Sequence, residues 1–465
     1  MLKQFEPPTR GTTEVAPTSG ATVKDAPSKT APSASPPTGK PTPGSSGRPI
    51  LHALITLALF AWAFVGFDTA RASVRFHGDE SDWILTSRYF NELFLEADLK
   101  SSAWDEDYWT LTQPSGFRYV LGAGLWLQGR DPSTVSRKEL DNRRQGREPA
   151  IDVLMDARRV TSVLGAVAVA LLYVVAIQLA APLAGVVAAL LAGASPYLRE
   201  HFVHAIPEST LSVLLLTALA LGLATFRRAP IGRLASALPI GLALGLALSA
   251  KLTAILSTPA IGVACLAAAL GTRLGGDDRR WWRPLAWGGI AALIGWGVFV
   301  ALNPFLWPAP AQRTFAMLEH RQDELFRRQQ NRIPREAVRD SRDRPGLVLG
   351  HTLINRTWSN TTLGVPLDVP LAVLGLATLV ATLWQNWRGA RQVGPAALFL
   401  LWLLSYLIGI VWGYGMNWDR YVAPLFLLAA LLSGLGVQWL LCRALQAGRW
   451  GWNACQSPAP DACRV

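Results

Sequence analysis

The sequence predicts an all-α polytopic membrane protein, a bundle of about ten transmembrane helices with interfacial helices in its first extracytoplasmic loop. Three observations predict it. Of 465 residues, 51% are hydrophobic and only 16% charged, and the mean hydropathy is positive. Apolar windows long enough to cross about 30 Å of hydrocarbon recur along the chain. Lys plus Arg outnumber Asp plus Glu by 44 to 32, an excess that polytopic proteins keep in cytoplasmic loops. No nucleic-acid-binding motif competes for that charge. Cys265, Cys442, Cys455 and Cys463 lack CxxC spacing and a neighbouring histidine cluster, which argues against a disulfide framework or a zinc site.

Residues 1–49 are Pro, Thr, Ser, Gly and Ala with scattered Lys, too poor in large apolar residues to build a core, and are expected to form a disordered cytoplasmic tail. A secretory signal would place its apolar run directly after a short basic stretch. Here that run waits until Ile50, so the first span is expected to be retained. The windows of the 50–441 region are Ile50 to Asp68, Val160 to Ala181, Leu183 to Pro196, Pro207 to Phe226, Leu234 to Ala250, Thr253 to Leu270, Pro284 to Leu302, Pro366 to Trp384, Pro395 to Gly413 and Tyr421 to Leu441. The third is short, and the fifth and sixth nearly fuse. The basic loops FRRAPIGR, TRLGGDDRRWWR and NWRGARQ then share the cytoplasmic side with the first tail and with a second tail, 442–465. Two long loops, 71–159 and 303–365, fall on the opposite side, with short turns at His201 to Pro207, Lys251 and Asp419.

In the first loop, DWILTSRYFNELFLEADL aligns Trp83, Phe90, Leu93, Phe94 and Ala97 near one helical face, and GFRYVLGAGLWLQG has a similar pattern. Both read as amphipathic helices in the interface plane, anchored by Trp and Tyr. They follow FHGDESDW, an acidic motif where a membrane surface should be. Asp79 and Glu80 either mark where the chain leaves the bilayer or serve a reaction between a lipid-borne and a water-borne substrate.

The order of further motifs resembles the GT-C superfamily of polyprenyl-phosphate-sugar glycosyltransferases, in particular the protein O-mannosyltransferase and aminoarabinose transferase-like branch, glycosyltransferase family 39. GDESDW resembles its acidic first-loop motif, and TLTQPSGFRYVLG its later Pro-rich basic segment, with QPS where QPP is usual. ARRVTSVLGAVAVALLY, SPYLREHFVHAIPESTLSVLLL, GLALGLALSAKLTAIL and NWDRYVAPLFLLAALL resemble later spans and turns, in order. The resemblance implies a GT-C-like bundle and inverting transfer of a hexose or pentose from a polyprenyl-linked donor to an extracytoplasmic protein, lipid or glycan. The site would lie outside a cell membrane in which both termini are cytoplasmic. Asp79 would then act as base with Glu80 as its partner, or Asp82 would exchange roles with them.

A lipid phosphate leaving group needs cations. Lys251 is the one basic residue between Leu234 and Leu270, so it either binds that phosphate or is a hairpin lysine that reaches back to water. Arg118, Arg158, Arg159 and Arg420 are further candidates, with interface anchoring as the alternative for each, and Gln113 of the QPS segment joins them on the substrate side. Glu208 is either a helix-start carboxylate or, as the resemblance allows, shares a divalent cation (Mg or Mn) with Asp79. His201 and His204 beside it read as polar loop residues. The Arg-rich HRQDELFRRQQNRIPREAVRDSRDR is a salt-bridged solvated helix or a lid over the site. NRT and NTT near Asn355 and Asn360 match glycosylation sequons weakly. The rival function is a transporter or flippase of lipid-linked sugar, for which inverted repeats are expected and none is evident.

Overall fold

The computed structural model describes residues 47–105, 107–134, 149–227, 234–275, 279–355, 357–390 and 394–452. Most of the first expected tail, the end of the second and parts of the three basic loops lie outside these residues. Each apolar window is helical. The windows become α1 (Gly47–Ala70), α4 (Ile151–Gln178), α5 (Pro182–Ala194), α7 (Glu208–Arg227), α8 (Ala237–Ala250), α9 (Thr258–Leu274), α10 (Arg283–Ala301), α12 (Asp368–Ala390), α13 (Pro395–Gly413) and α14 (Ala423–Trp452). The shorter α2 (Gly78–Thr86), α3 (Gly116–Leu127), α6 (Pro196–Val203) and α11 (Pro310–Asp323) lie between them.

The number of spans differs from the expected ten. Among the described residues eight helices are long and apolar enough to cross a membrane, or nine if α5 and α6, bent by 69°, form one span. The break is local chemistry. Pro196 disfavours helical geometry at Ser195, whose ψ is 122°, and the Ser195 hydroxyl then accepts from Leu198 N to start α6. The window ending at Ala250 is a shorter apolar helix, Leu234–Ala250, because Lys251 turns extended and a 3₁₀ turn, Leu252–Ser257, leads into α9.

Close helix contacts hold the bundle. A Cβ on Gly375, Gly434 or Gly436 would run into the backbone carbonyls of Leu432, Ala184 and Leu371, so these glycines let α14 lie directly against α12 and α5. On the end of the bundle that carries the long loops, α3 buries Phe117, Leu121 and Leu125 with Trp83 and Ile84 of α2 against Leu154 and Ala157 of α4. The expected continuous first-loop helix is interrupted. A π-helical turn at Asn91–Leu95 shifts the register, leaving Phe94 exposed and Ala97 in the left-handed region at φ 52°. The second long loop folds back on the bundle, where Val338 N donates to Gly415 O at 3.0 Å and Asn417 N to Glu336 O at 2.7 Å.

Candidate active site

The first turn of α2 fixes the acidic motif. His77 stands where a capping box usually has Ser or Thr: its Nδ1 accepts from Asp79 N at 3.2 Å, while the Glu80 carboxylate accepts from His77 N at 2.9 Å. That reciprocal cap turns the two neighbouring acids to different sides. Glu80 is fully buried and receives Nε and Nη2 of Arg158, at 2.9 and 2.8 Å, together with Ala205 N at 2.9 Å. Arg158 gives its remaining N–H groups to the carbonyls of Arg71, Val74 and Arg75, at 2.7 to 3.1 Å. All five donors of the guanidinium thus have partners. This pair locks α2, α4 and two turns together behind the cavity. Arg159, on the same helix, points elsewhere, about half exposed and 3.6 Å from Asp68.

Asp79 instead faces a cavity of about 750 Å³ roofed by the second long loop. Its Oδ2 lies 2.5 Å from Nη1 of Arg420, and the carboxyl side chain is 44% exposed, whereas Arg420 is 14% exposed. Arg420 comes from the turn Asp419–Val422 before α14 and lies over the rings of Trp418 and Tyr421, at 4.8 and 5.7 Å. Burial pushes the Asp79 carboxyl up, but Arg420, with His77 and Arg321, outweighs it and holds the group at about 2. Asp79 is therefore ionised and already engaged.

Further sequence candidates meet in this cavity. Asp82, Gln113 and Arg118 line it. Arg118 is buried; it donates to Trp109 O at 2.7 Å and lies 5.3 and 5.2 Å from the rings of Trp83 and Tyr89. Lys251 and Glu208 do not line the cavity. They form a buried pair at 2.6 Å directly behind it, with Lys251 Nζ 4.9 Å from the ring of Tyr421. Of the two acids, Asp79 alone is linked to Lys251, through the Arg420–Tyr421 dipeptide, with Arg420 on the acid and Lys251 against the tyrosine ring. His77, His201 and His204 also face the cavity. His201 lies 3.3 Å from Asp419, His204 is 2.8 Å from Arg75 O, and burial is the largest cause that lowers the pKa of His77 and His204.

The donor set does not fit a divalent cation shared by Asp79 and Glu208, since each acid is bound to a cationic side chain of the chain itself. Among the described residues no group of three or more His, Cys, Asp or Glu side chains is arranged to hold a metal ion.

Sequence reading did not single out Arg321, Arg332, Tyr108 or Trp418, all of which line the cavity. Arg321 donates to Tyr421 OH at 3.2 Å, while Arg327 and Arg328 pair with Asp323 away from the cavity. Both readings of the Arg-rich loop thus describe part of it. A π-helical turn at Glu324–Arg328 breaks the periodicity that would have sorted its faces.

No family model matches the chain, and no curated protein does. Solved structures do. AglB from Archaeoglobus fulgidus, in complex with an inhibitory peptide and a dolichol-phosphate, is 12% identical over 90% of this chain and 53% of its own, with a TM-score of 0.56. The Archaeoglobus fulgidus oligosaccharyltransferase tethered to an acceptor peptide containing the NVT sequon is 13% identical over 86% and 51%, with a TM-score of 0.52. ArnT from Cupriavidus metallidurans, bound to undecaprenyl phosphate, is 17% identical over 87% and 64%, with a TM-score of 0.46. The chain spans between 51% and 64% of the length of these structures. At such identities the likeness concerns the fold alone, an all-α bundle of membrane-spanning helices.

Proposed function

We propose that the chain is an integral-membrane glycosyltransferase that moves one sugar, with inversion, from a polyprenyl-phosphate-linked donor to a hydroxyl-bearing acceptor outside the cytoplasm, with both termini on the cytoplasmic side of a cell membrane. One observation carries the reading. A carboxylate from the first loop and guanidinium groups from the second loop and the last turn converge on one roofed polar cavity at the end of a GT-C bundle.

In this reading the acceptor oxygen attacks the anomeric carbon as Asp79 takes its proton, and the bond from that carbon to the phosphate oxygen breaks with its electron pair. The departing lipid phosphate gains negative charge, which Arg420, Arg321 and Arg332 stabilise as cations in a site partly shielded from water. Arg118 and Gln113 line the cavity together with the rings of Trp83, Tyr108 and Trp418, against which a sugar ring would pack. Glu80 and Arg158 build the scaffold.

Purified protein supplied with polyprenyl-phosphate-sugar in detergent tests the proposal. Release of polyprenyl phosphate together with glycosylated acceptor is expected, and Asp79→Asn should abolish it while leaving the protein inserted. Intact donor that merely crosses a liposome membrane would replace the proposal with transport.

A further inference from the structure

The Asp79–Arg420 contact poses a problem for a base. A carboxylate pressed against a guanidinium is a poor proton acceptor, and a guanidinium committed to a carboxylate is a poor phosphate ligand. We infer that Asp79 and the donor phosphate compete for Arg420, so that the incoming phosphate draws the guanidinium away and frees the carboxylate to act as base. The inference rests on the glycosyl-transfer reading and adds how its site is switched on.

The geometry supports an exchange rather than a permanent pair. The contact is one-sided, a single Nη1 to Oδ2 bond at 2.5 Å, whereas a phosphate takes the planar fork of an arginine in two parallel bonds. Asp79 is 44% exposed to the cavity, so a phosphate can approach from the open side. Trp418 and Tyr421 flank the guanidinium and leave its edge as the route of movement. Glu80–Arg158 supplies the contrast, because there all five donors are bound and both side chains are sealed.

The surrounding charges favour the same outcome. Behind Tyr421, Lys251 is neutralised by Glu208, so it does not hold Asp79 in place of Arg420. The other groups acting on Asp79 are His77 and Arg321, and Arg321 lines the cavity where the phosphate arrives. Once the phosphate has gathered Arg420 and Arg321, His77 alone of these groups still faces Asp79, and the pull that holds its carboxylate down is weakened. Donor binding thus prepares the base, and an acceptor that arrives alone meets a blocked carboxylate.

Competition makes a prediction that simple ligation does not: removing the acid improves phosphate binding. Binding of polyprenyl phosphate without a sugar is measured on the purified full-length protein in detergent micelles. Asp79→Asn should tighten it by about tenfold, and Arg420→Gln should weaken it by about the same factor. In the Arg420→Gln background, adding Asp79→Asn should change affinity less than about twofold, because no guanidinium is left to release. Unchanged or weaker binding by Asp79→Asn overturns the inference, as does equal tightening in both backgrounds, which would mean plain charge repulsion. Wild-type protein that does not bind polyprenyl phosphate at all overturns the glycosyl-transfer reading itself. Asp79→Ala serves the same test should the Asn variant not purify.

Discussion

Asp79 and Glu80 are adjacent acids in one helical turn, and they lead opposite lives. A helix rotates about 100° per residue, so neighbours in sequence look in different directions. Glu80 looks into the protein, where three backbone or guanidinium groups close over it. Asp79 looks into the cavity, and its carboxylate accepts from one side chain, Arg420. The difference teaches that composition does not assign roles among acids; the number of fixed donors does. A carboxylate that is fully satisfied can only hold a structure together, whereas one with oxygens still open to a cavity can accept a proton.

Substitutions in the two regions should separate activity from stability. The largest effect is expected from Asp79→Asn, a loss of about 10²-fold or more in sugar transfer with little change in melting temperature. A variant that keeps its rate would end the distinction. Glu80→Gln should do the reverse and cost about 3–5 kcal/mol, because the buried Arg158 charge is left uncompensated. Chemical denaturation or detergent melting measures this. Adding Arg158→Met should restore only part of the loss, since the carbonyls of Arg71, Val74 and Arg75 also lose their donor.

The Lys251–Glu208 pair tests the region between. Lys251→Met alone strands a buried carboxylate and should destabilise by about 3 kcal/mol, and Lys251→Met with Glu208→Leu should recover most of that. A stable double variant that still transfers sugar identifies the pair as support for Tyr421. A stable double variant without transfer would return Lys251 to the role of phosphate ligand suggested by its place in the sequence. Arg159→Ala, half exposed and weakly paired, should stay within about 0.5 kcal/mol and leave transfer unchanged.

The smallest effect concerns pH. His77 and His204 are held below the ordinary imidazole value, so the unfolded chain takes up protons first. Stability is full above the unfolded value of about 6.5 and declines as pH falls through it. His204→Gln should flatten that slope in a melting series between pH 7 and 5. An unaltered slope would mean that other groups cause it.

How much of this could be read beforehand depended on the kind of signal. Each span follows from an unbroken apolar run, and the bend at Ser195 from a proline, because both are local. The meeting of Asp79 with Arg420, 341 positions away, was legible only as a shared side of the membrane, through helix counting and a family resemblance. Which arginine would face the cavity was not legible at all. Arg158 and Arg159 are neighbours of one type, yet one is walled in by carbonyls and the other reaches outward, and only the packed backbone decides between them. Arg321 and Arg332 stayed hidden for a related reason, since the π-helical turn between them breaks the period that sorts a helix into faces.

The seal around Glu80 also constrains how the chain is made. Its carboxylate needs a donor from Arg158 and another from the backbone of Ala205, which is synthesised 125 residues later. The turn that presents Asp79 therefore cannot reach its final form while the ribosome is still on the first hydrophobic segment. The geometry of this turn is completed only after Ala205 has been made, and a nascent chain arrested before Ala205 should leave that turn open to protease.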